Sequence, residues 1–183
     1  MNRPSLRRAT LWTAFATGAF LAPLAPGATL DAQQGPPGCK TPMHRQFDFW
    51  IGSWVVTDSA GTLTMGQNEV TLETAGCVIH ERWTSAGSNG GTGQSLNAYD
   101  LATRQWAQDW VGSGGDVLHL RGGLKGHAMV LTGDGMTPAG AKQLNRVTWT
   151  PMPDGRVRQY WETSDDGGVT WAKSFDGWYR KAR

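Results

Sequence analysis

The sequence predicts an all-β protein, about ten antiparallel strands meandering into a closed barrel, with a short helical turn at its N-terminal end. Three observations carry this. Beyond residue 42 almost nothing recurs at helical spacing; short alternating or aromatic-rich runs are separated by glycine, asparagine and aspartate. The connectors have turn chemistry, as in Asp100–Thr103, Gly112–Gly115, Gly122–Gly126 and Pro153-Asp154-Gly155. Finally, Phe47-Asp48-Phe49-Trp50-Ile51-Gly52-Ser53-Trp54 reads as an aromatic turn running into a strand. Glycine lets the chain bend there, and a buried indole beneath the first strand removes a large apolar area from water. So many consecutive strands in one small domain favour closure, because a barrel has no free edges; a two-sheet sandwich is the other architecture this pattern allows.

The elements follow in order. Residues 1–32 have the layout of a cleavable export signal: Arg3, Arg7 and Arg8, then a mostly apolar Leu11–Leu24, then Pro23, Pro26 and Gly27 before Ala28 and Ala32. Cleavage is expected after Ala32, with Ala28 the alternative. The Arg7-Arg8 pair allows twin-arginine export, but its continuation fits general secretion better. The apolar stretch is too short and interrupted for a stable span. Residues 33–43 read as a flexible linker and 44–183 as the barrel domain. Strands are predicted near 53–58, 64–73, 77–84, 94–100, 104–111, 116–122, 127–132, 144–151, 156–163 and 170–180, with longer glycine-rich loops at Ser85–Gly93 and Gly133–Lys142. Ser164-Asp165-Asp166-Gly167-Gly168-Val169-Thr170-Trp171 fits the Asp-box pattern S-x-D-x-G-x-T-W. That pattern specifies a hairpin in which Asp166 satisfies turn amides and Trp171 staples the turn; one box in so small a domain cannot build a propeller.

Composition narrows the partners. The whole chain has 17 Lys+Arg against 15 Asp+Glu, and residues 1–32 hold three arginines and one aspartate, so the remainder is balanced at 14 against 14. A neutral mature domain lacks the clustered positive charge that nucleic acid or an anionic membrane requires, so neither is an expected partner after signal cleavage. The two cysteines, Cys39 and Cys77, are expected to form one disulfide in an oxidising compartment, tying the N-terminal tail to the wall; two free thiols are the alternative.

Alternation assigns the interior. Trp106, Gln108 and Trp110 share one face of their strand, Gln159 and Trp161 one face of another, and Cys77, Ile79, Glu81 and Trp83 one face of a third. If the tryptophans point inward, Gln108, Gln159 and Glu81 go with them. Ser95, Asn97 and Tyr99 alternate in step as weaker candidates, although their opposite face (Gln94, Leu96, Ala98) is equally credible as the buried one. Buried amides and acids need hydrogen-bond partners, which either they supply to one another in a filled core or a partly polar ligand supplies in a cavity. The four histidines, His44, His80, His119 and His127, have no metal-binding spacing, and no nucleophile or dinucleotide signature is present, so neither metal nor cofactor is expected. Arg180, ending the last strand, is placed to lie over Trp54 and lock the barrel floor.

The segments His44–Trp54 and Gly76–Trp83, followed by Gly93–Tyr99, Trp106-x-Gln108-x-Trp110, Arg146–Thr150, Gln159-x-Trp161-Glu162 and the Ser164–Trp171 hairpin, resemble a family of exported bacterial domains of unknown function. The resemblance covers essentially all of 39–182 and implies a lipocalin-like (calycin) barrel, exported to the periplasm or beyond, with no established activity. A wider similarity is to nitrobindin-like barrels, which hold heme through a histidine near the C-terminal end. No histidine follows His127 here, so heme would need His119 or His127 to face inward.

The function expected from these residues is binding of a small, partly polar, ring-containing molecule. Trp83, Trp106, Trp110 and Trp161 would stack on it, and Glu81, Asn97, Gln108 and Gln159 would orient it. Two alternatives follow from the same pattern. One is a barrel enzyme of isomerase, cyclase or hydrolase type using Glu81 as general acid or base. The other is a structural or partner-binding module displaying Tyr160 and Trp178. Oligomeric state is not encoded in any of these features.

Overall fold

Ten strands follow one another around a ring, each antiparallel to the next, and the last returns to the first. The computed structural model describes residues 38–88, 90–137 and 139–183. The predicted signal segment 1–32 and the first residues of the linker lie outside the described residues. In chain order the strands are β1 Gly52–Thr57, β2 Thr64–Glu73, β3 Val78–Ser85, β4 Thr92–Asp100, β5 Gln105–Gly112, β6 Val117–Lys125, β7 Ala128–Met136, β8 Lys142–Pro151, β9 Val157–Ser164 and β10 Ala172–Lys181. The barrel closes through β1 and β10, with Trp54 opposite Lys181 and Val56 opposite Tyr179. A sandwich is thereby ruled out. The expected long loop at 133–142 shrinks, because β7 continues through Gly133 and Gly135 to Met136. A Cβ on Gly133 would run into the His119 carbonyl, so glycine there permits backbone approach rather than marking a loop.

The connections after β1, β3, β5, β7 and β9 form one end of the barrel, the mouth; the N-terminal segment closes the other. Two 3-10 turns, Pro42–Arg45 and Asp48–Trp50, carry the floor. Phe47 stacks on Trp50 (centroids 5.0 Å apart) and meets Trp106 and Trp149 edge-on at 5.6 and 5.2 Å. All four rings are buried. Trp54 sits beside them, donating its indole N–H to the Trp50 carbonyl at 2.8 Å. His44 is a packing residue, buried against Tyr99 and bonded to Thr41 Oγ1 at 2.7 Å. Cys39 and Cys77 form a disulfide that ties this segment to the wall just before β3. Within the segment read as a linker over 33–43, Cys39 is pinned to the wall and Pro42 begins a turn.

The lock on the floor is Lys181, not Arg180. Tyr179 points inward, so parity sends Arg180 out to solvent and returns Lys181 to the Trp54 side. Lys181 Nζ lies 3.8 Å from the Trp54 ring centroid and donates to the Ile51 carbonyl at 2.6 Å. Gly52, with φ +142°, leaves the space that the lysine fills. Replacing Lys181 by alanine is expected to lower unfolding stability by about 1 kcal/mol, and Arg180→Ala to leave it within about 0.5 kcal/mol, by thermal denaturation.

The Ser164–Trp171 hairpin has the predicted construction. Asp166 accepts bonds from the Val169 and Thr170 amides and the Thr170 hydroxyl, which hold its carboxyl at about 2. Ser164 Oγ bonds Asp166 and the Gly168 amide, and Trp171 donates to the Gly168 carbonyl at 3.0 Å.

Candidate functional site

A cavity of about 310 Å³ occupies the mouth half of the barrel. Alternation puts its lining there. β3 supplies Glu81 and Trp83, β5 Gln108 and Trp110, β9 Gln159 and Trp161, and β10 Phe175 and Tyr179; Met65, Leu118 and Val147 complete the apolar wall. Inward projection of Glu81, Trp83, Gln108, Trp110, Gln159 and Trp161 is as the sequence predicts. Ser95, Asn97 and Tyr99 also occupy the inner face of β4, with Gln94 and Leu96 outside.

Two predicted contacts lie too deep. Trp106 is on the inner face of β5 but one layer nearer the floor, where it packs on Phe47 and Tyr99 and donates to Gln46 Oε1 at 3.2 Å. Asn97 sits beneath the cavity rather than on it, buried in the hydrogen-bond network that supports Gln108. Alternation determines a face but not a height along the barrel axis, and both residues lie toward the closed end.

Two glycines keep the mouth open. A Cβ on Gly66 would come within 2.6 Å of the Trp83 ring, and one on Gly93 would run into the Trp110 ring. The two indoles thus lie against bare backbone of the neighbouring strands, β2 and β4, instead of filling the lumen. Each cavity indole has its N–H bonded to protein: Trp83 to Ser85 Oγ (2.8 Å), Trp110 to Asp116 Oδ2 (2.8 Å) and Trp161 to Asn145 Oδ1 (2.9 Å). For a ligand, these rings have only π surface to offer.

The polar base of the cavity is one connected network, and its polarity can be followed from a main-chain carbonyl. Asn97 Nδ2 donates to Ile79 O at 3.0 Å, which fixes the amide and leaves Asn97 Oδ1 to accept from Gln108 Nε2 at 2.9 Å. Ser95 Oγ accepts from Asn97 Nδ2 (2.9 Å) and Gln108 Nε2 (3.3 Å), so its own proton goes to Glu81 Oε2 at 2.6 Å. Asn68 Nδ2 donates to Glu81 Oε1 at 2.7 Å and to Tyr179 Oη at 3.3 Å. The Tyr179 hydroxyl in turn donates to Gln159 Oε1. Gln108 Oε1 and Gln159 Nε2 have no protein partner among the described residues and belong to side chains that line the lumen.

Glu81 is 3% exposed. Burial pushes its carboxyl up to about 7, against the opposing pull of the Ser95 and Asn68 donors and of His80. The same burial, with Glu81 beside it, raises the Tyr179 phenol well above its ordinary range, so it stays neutral. Among the described residues no lysine, arginine or histidine lines the cavity.

The remaining candidates lie outside. His80 faces away from Glu81 and bonds Glu73 and Gln94 on the outer wall. His119 is exposed and bonds Asp109 at 2.7 Å, and His127 is exposed in the turn before β7, so neither offers an axial ligand to the lumen. Among the described residues no group of His, Cys, Asp and Glu is arranged to hold a metal ion. Tyr160 and Trp178 are half-buried beneath Arg158 and do not form an open aromatic patch; Arg158 is held by Asp176 at 2.8 and 2.9 Å. No helix of the described residues is long and apolar enough to cross a membrane.

Sequence reasoning missed Asn68, Asn145, Tyr179 and Phe175. Phe175, Gly177 and Tyr179 alternate on one face of β10, a usable signal, but the register shifts between Lys173 and Phe175 and breaks parity with the Asp-box hairpin. Asn68 lies in a polar run, Gln67-Asn68-Glu69, and shares its buried face with Val70, a usable signal that a single apolar residue makes weak beside the tryptophan-marked strands. Compared with known proteins, the chain matches no family model and no curated sequence.

Proposed function

We propose that this barrel is an exported small-molecule-binding protein whose ligand lies among Trp83, Trp110 and Trp161 and is oriented by Glu81, Gln108 and Gln159. One observation carries it: the mouth half is hollow because two indoles are folded back onto glycines, and the hollow has an open acceptor and an open donor at its base. A core evolved only for stability fills such space with side chains. The Cys39–Cys77 disulfide supports export, since such bonds persist in oxidising compartments. The closed ten-strand meander supports the lipocalin-like assignment and membership of the exported-domain family that the motifs resemble.

The test is a tryptophan-fluorescence titration with a panel of small aromatic and heteroaromatic compounds. Gly93→Ala is expected to push Trp110 off the wall into the lumen and weaken binding roughly tenfold, equivalent to about 1.4 kcal/mol. The outer-face control Leu96→Ala should bind like the native protein. No saturable binding by the native protein to any member of the panel would overturn the proposal.

Catalysis on the same cavity is the second function the site supports, and a specific observation favours it: a buried carboxyl held at about 7 is suited to general acid–base work at neutral pH. It differs in one measurable respect. Glu81→Gln would abolish turnover of a bound compound while leaving its affinity within a few-fold.

A further inference from the structure

We propose that the ligand is an organic cation, an ammonium group on a small hydrocarbon body, seated against Glu81 between the faces of Trp83, Trp110 and Trp161. The proposal rests on the cavity reading above and narrows it to one chemical class.

The geometry of the network points this way. Because the amide of Asn97 is fixed by the Ile79 carbonyl, Ser95 must donate to Glu81 Oε2, while Asn68 Nδ2 donates to Oε1. Oε2 accepts by the chain fixed at Ile79, and Oε1 accepts from an Asn68 amide whose Oδ1 is buried without a partner among the described residues; with both oxygens accepting, the arrangement fits the ionised form. Yet among the described residues that charge has no counter-ion in the lumen, whose lining includes no basic side chain. A buried, unpaired carboxylate is costly, and a cation entering the cavity removes the cost. The walls agree. Three indoles whose N–H groups are already bonded elsewhere present electron-rich π faces, which attract cations and offer nothing to an anion. An anionic ligand would meet Glu81 and the rings with the wrong sign. A neutral ring would satisfy the walls but leave the charge alone.

Proton linkage follows. The titratable groups around Glu81 are Tyr179 from β10, which stays neutral, and His80 on the outer side of β3; Asn68 from β2 and Ser95 from β4 do not titrate. With the free carboxyl at about 7, a cation that requires the ionised form should release about 0.9 proton per ligand at pH 6 and about 0.1 at pH 8. Its affinity should fall towards tenfold for each pH unit below 7.

The experiment is calorimetric titration with choline and with its neutral carbon isostere 3,3-dimethylbutan-1-ol, at pH 6 and pH 8, in buffers of different ionisation enthalpy. Choline is expected to bind at least tenfold more tightly than the isostere at pH 8, with proton release larger at pH 6. Glu81→Gln should abolish the preference and the proton release, and Trp110→Leu should weaken choline about tenfold with little effect on the isostere. The pH series uses the native protein, so it stands even if a variant fails to fold. Equal affinity for the two probes, or cation binding without proton release at pH 6, would overturn the proposal. Binding of the isostere with rejection of choline would overturn it while leaving the cavity reading intact; failure of both probes together with the aromatic panel would sink both.

Discussion

Glu81→Gln is expected to flatten the pH dependence of unfolding stability between pH 5 and 8 in the ligand-free protein. Burial lifts the folded-state carboxyl from 4.5 to about 7, so the native state binds this proton more tightly than the unfolded chain does. Stability from this group is therefore fully present below about pH 4.5 and is lost as pH rises through 7. The difference between the two values corresponds to about 3 kcal/mol. Glu73 and Asp166 run the opposite way. Their hydrogen bonds hold them at about 2, so what they contribute is present above 4.5 and disappears only in stronger acid. The windows barely overlap, and urea denaturation at pH 5 and pH 8 isolates Glu81. The native protein should be less stable at pH 8 by about 3 kcal/mol and the glutamine variant nearly equal at the two values. An unchanged slope in the variant would mean that Glu81 titrates normally.

Replacing both Cys39 and Cys77 by serine is expected to cost about 4 kcal/mol. The bridge spans a sequence separation of 38, and closing a loop of that size in the unfolded chain removes about this much conformational freedom at 25 °C. That loop holds the aromatic floor segment together with β1 and β2, so its release frees the elements that plug the barrel and complete its closure. Chemical denaturation of the native and double-serine proteins measures the difference. A loss below about 1 kcal/mol would show that the floor aromatics alone hold the segment.

The ring of strands could be read from the sequence because each carries its own alternation, and turn residues separate them. β2 spans 64–73 as predicted, and Trp106-Ala107-Gln108-Asp109-Trp110 displays its inward face without ambiguity. What alternation does not encode is depth. Trp106 and Trp110 have the same parity, yet one braces the floor and the other walls the cavity. Nor does it survive an irregularity: the shift between Lys173 and Phe175 hid Phe175 and Tyr179, and a one-residue difference at the end of β10 exchanged Arg180 for Lys181. The network around Glu81 was half visible. Glu81 and Gln108 stand beside tryptophans that betray their side of the strand, whereas Asn68 has only Val70 to mark its face, and the cross-strand pairing is what sets it near Glu81. The role of Gly66 and Gly93 is invisible in sequence, since a glycine that seats an indole of the adjacent strand looks like any other in a glycine-rich chain.

The barrel is sealed at the end where its chain comes and goes. Cys39 is anchored beside the start of β3, and Lys181 finishes over Trp54, so the described polypeptide arrives and departs beneath the aromatic plug. Tethered next to Cys39 or Lys181 to a bead, a sensor surface or a fused carrier, the described barrel would stand with its aperture facing outward.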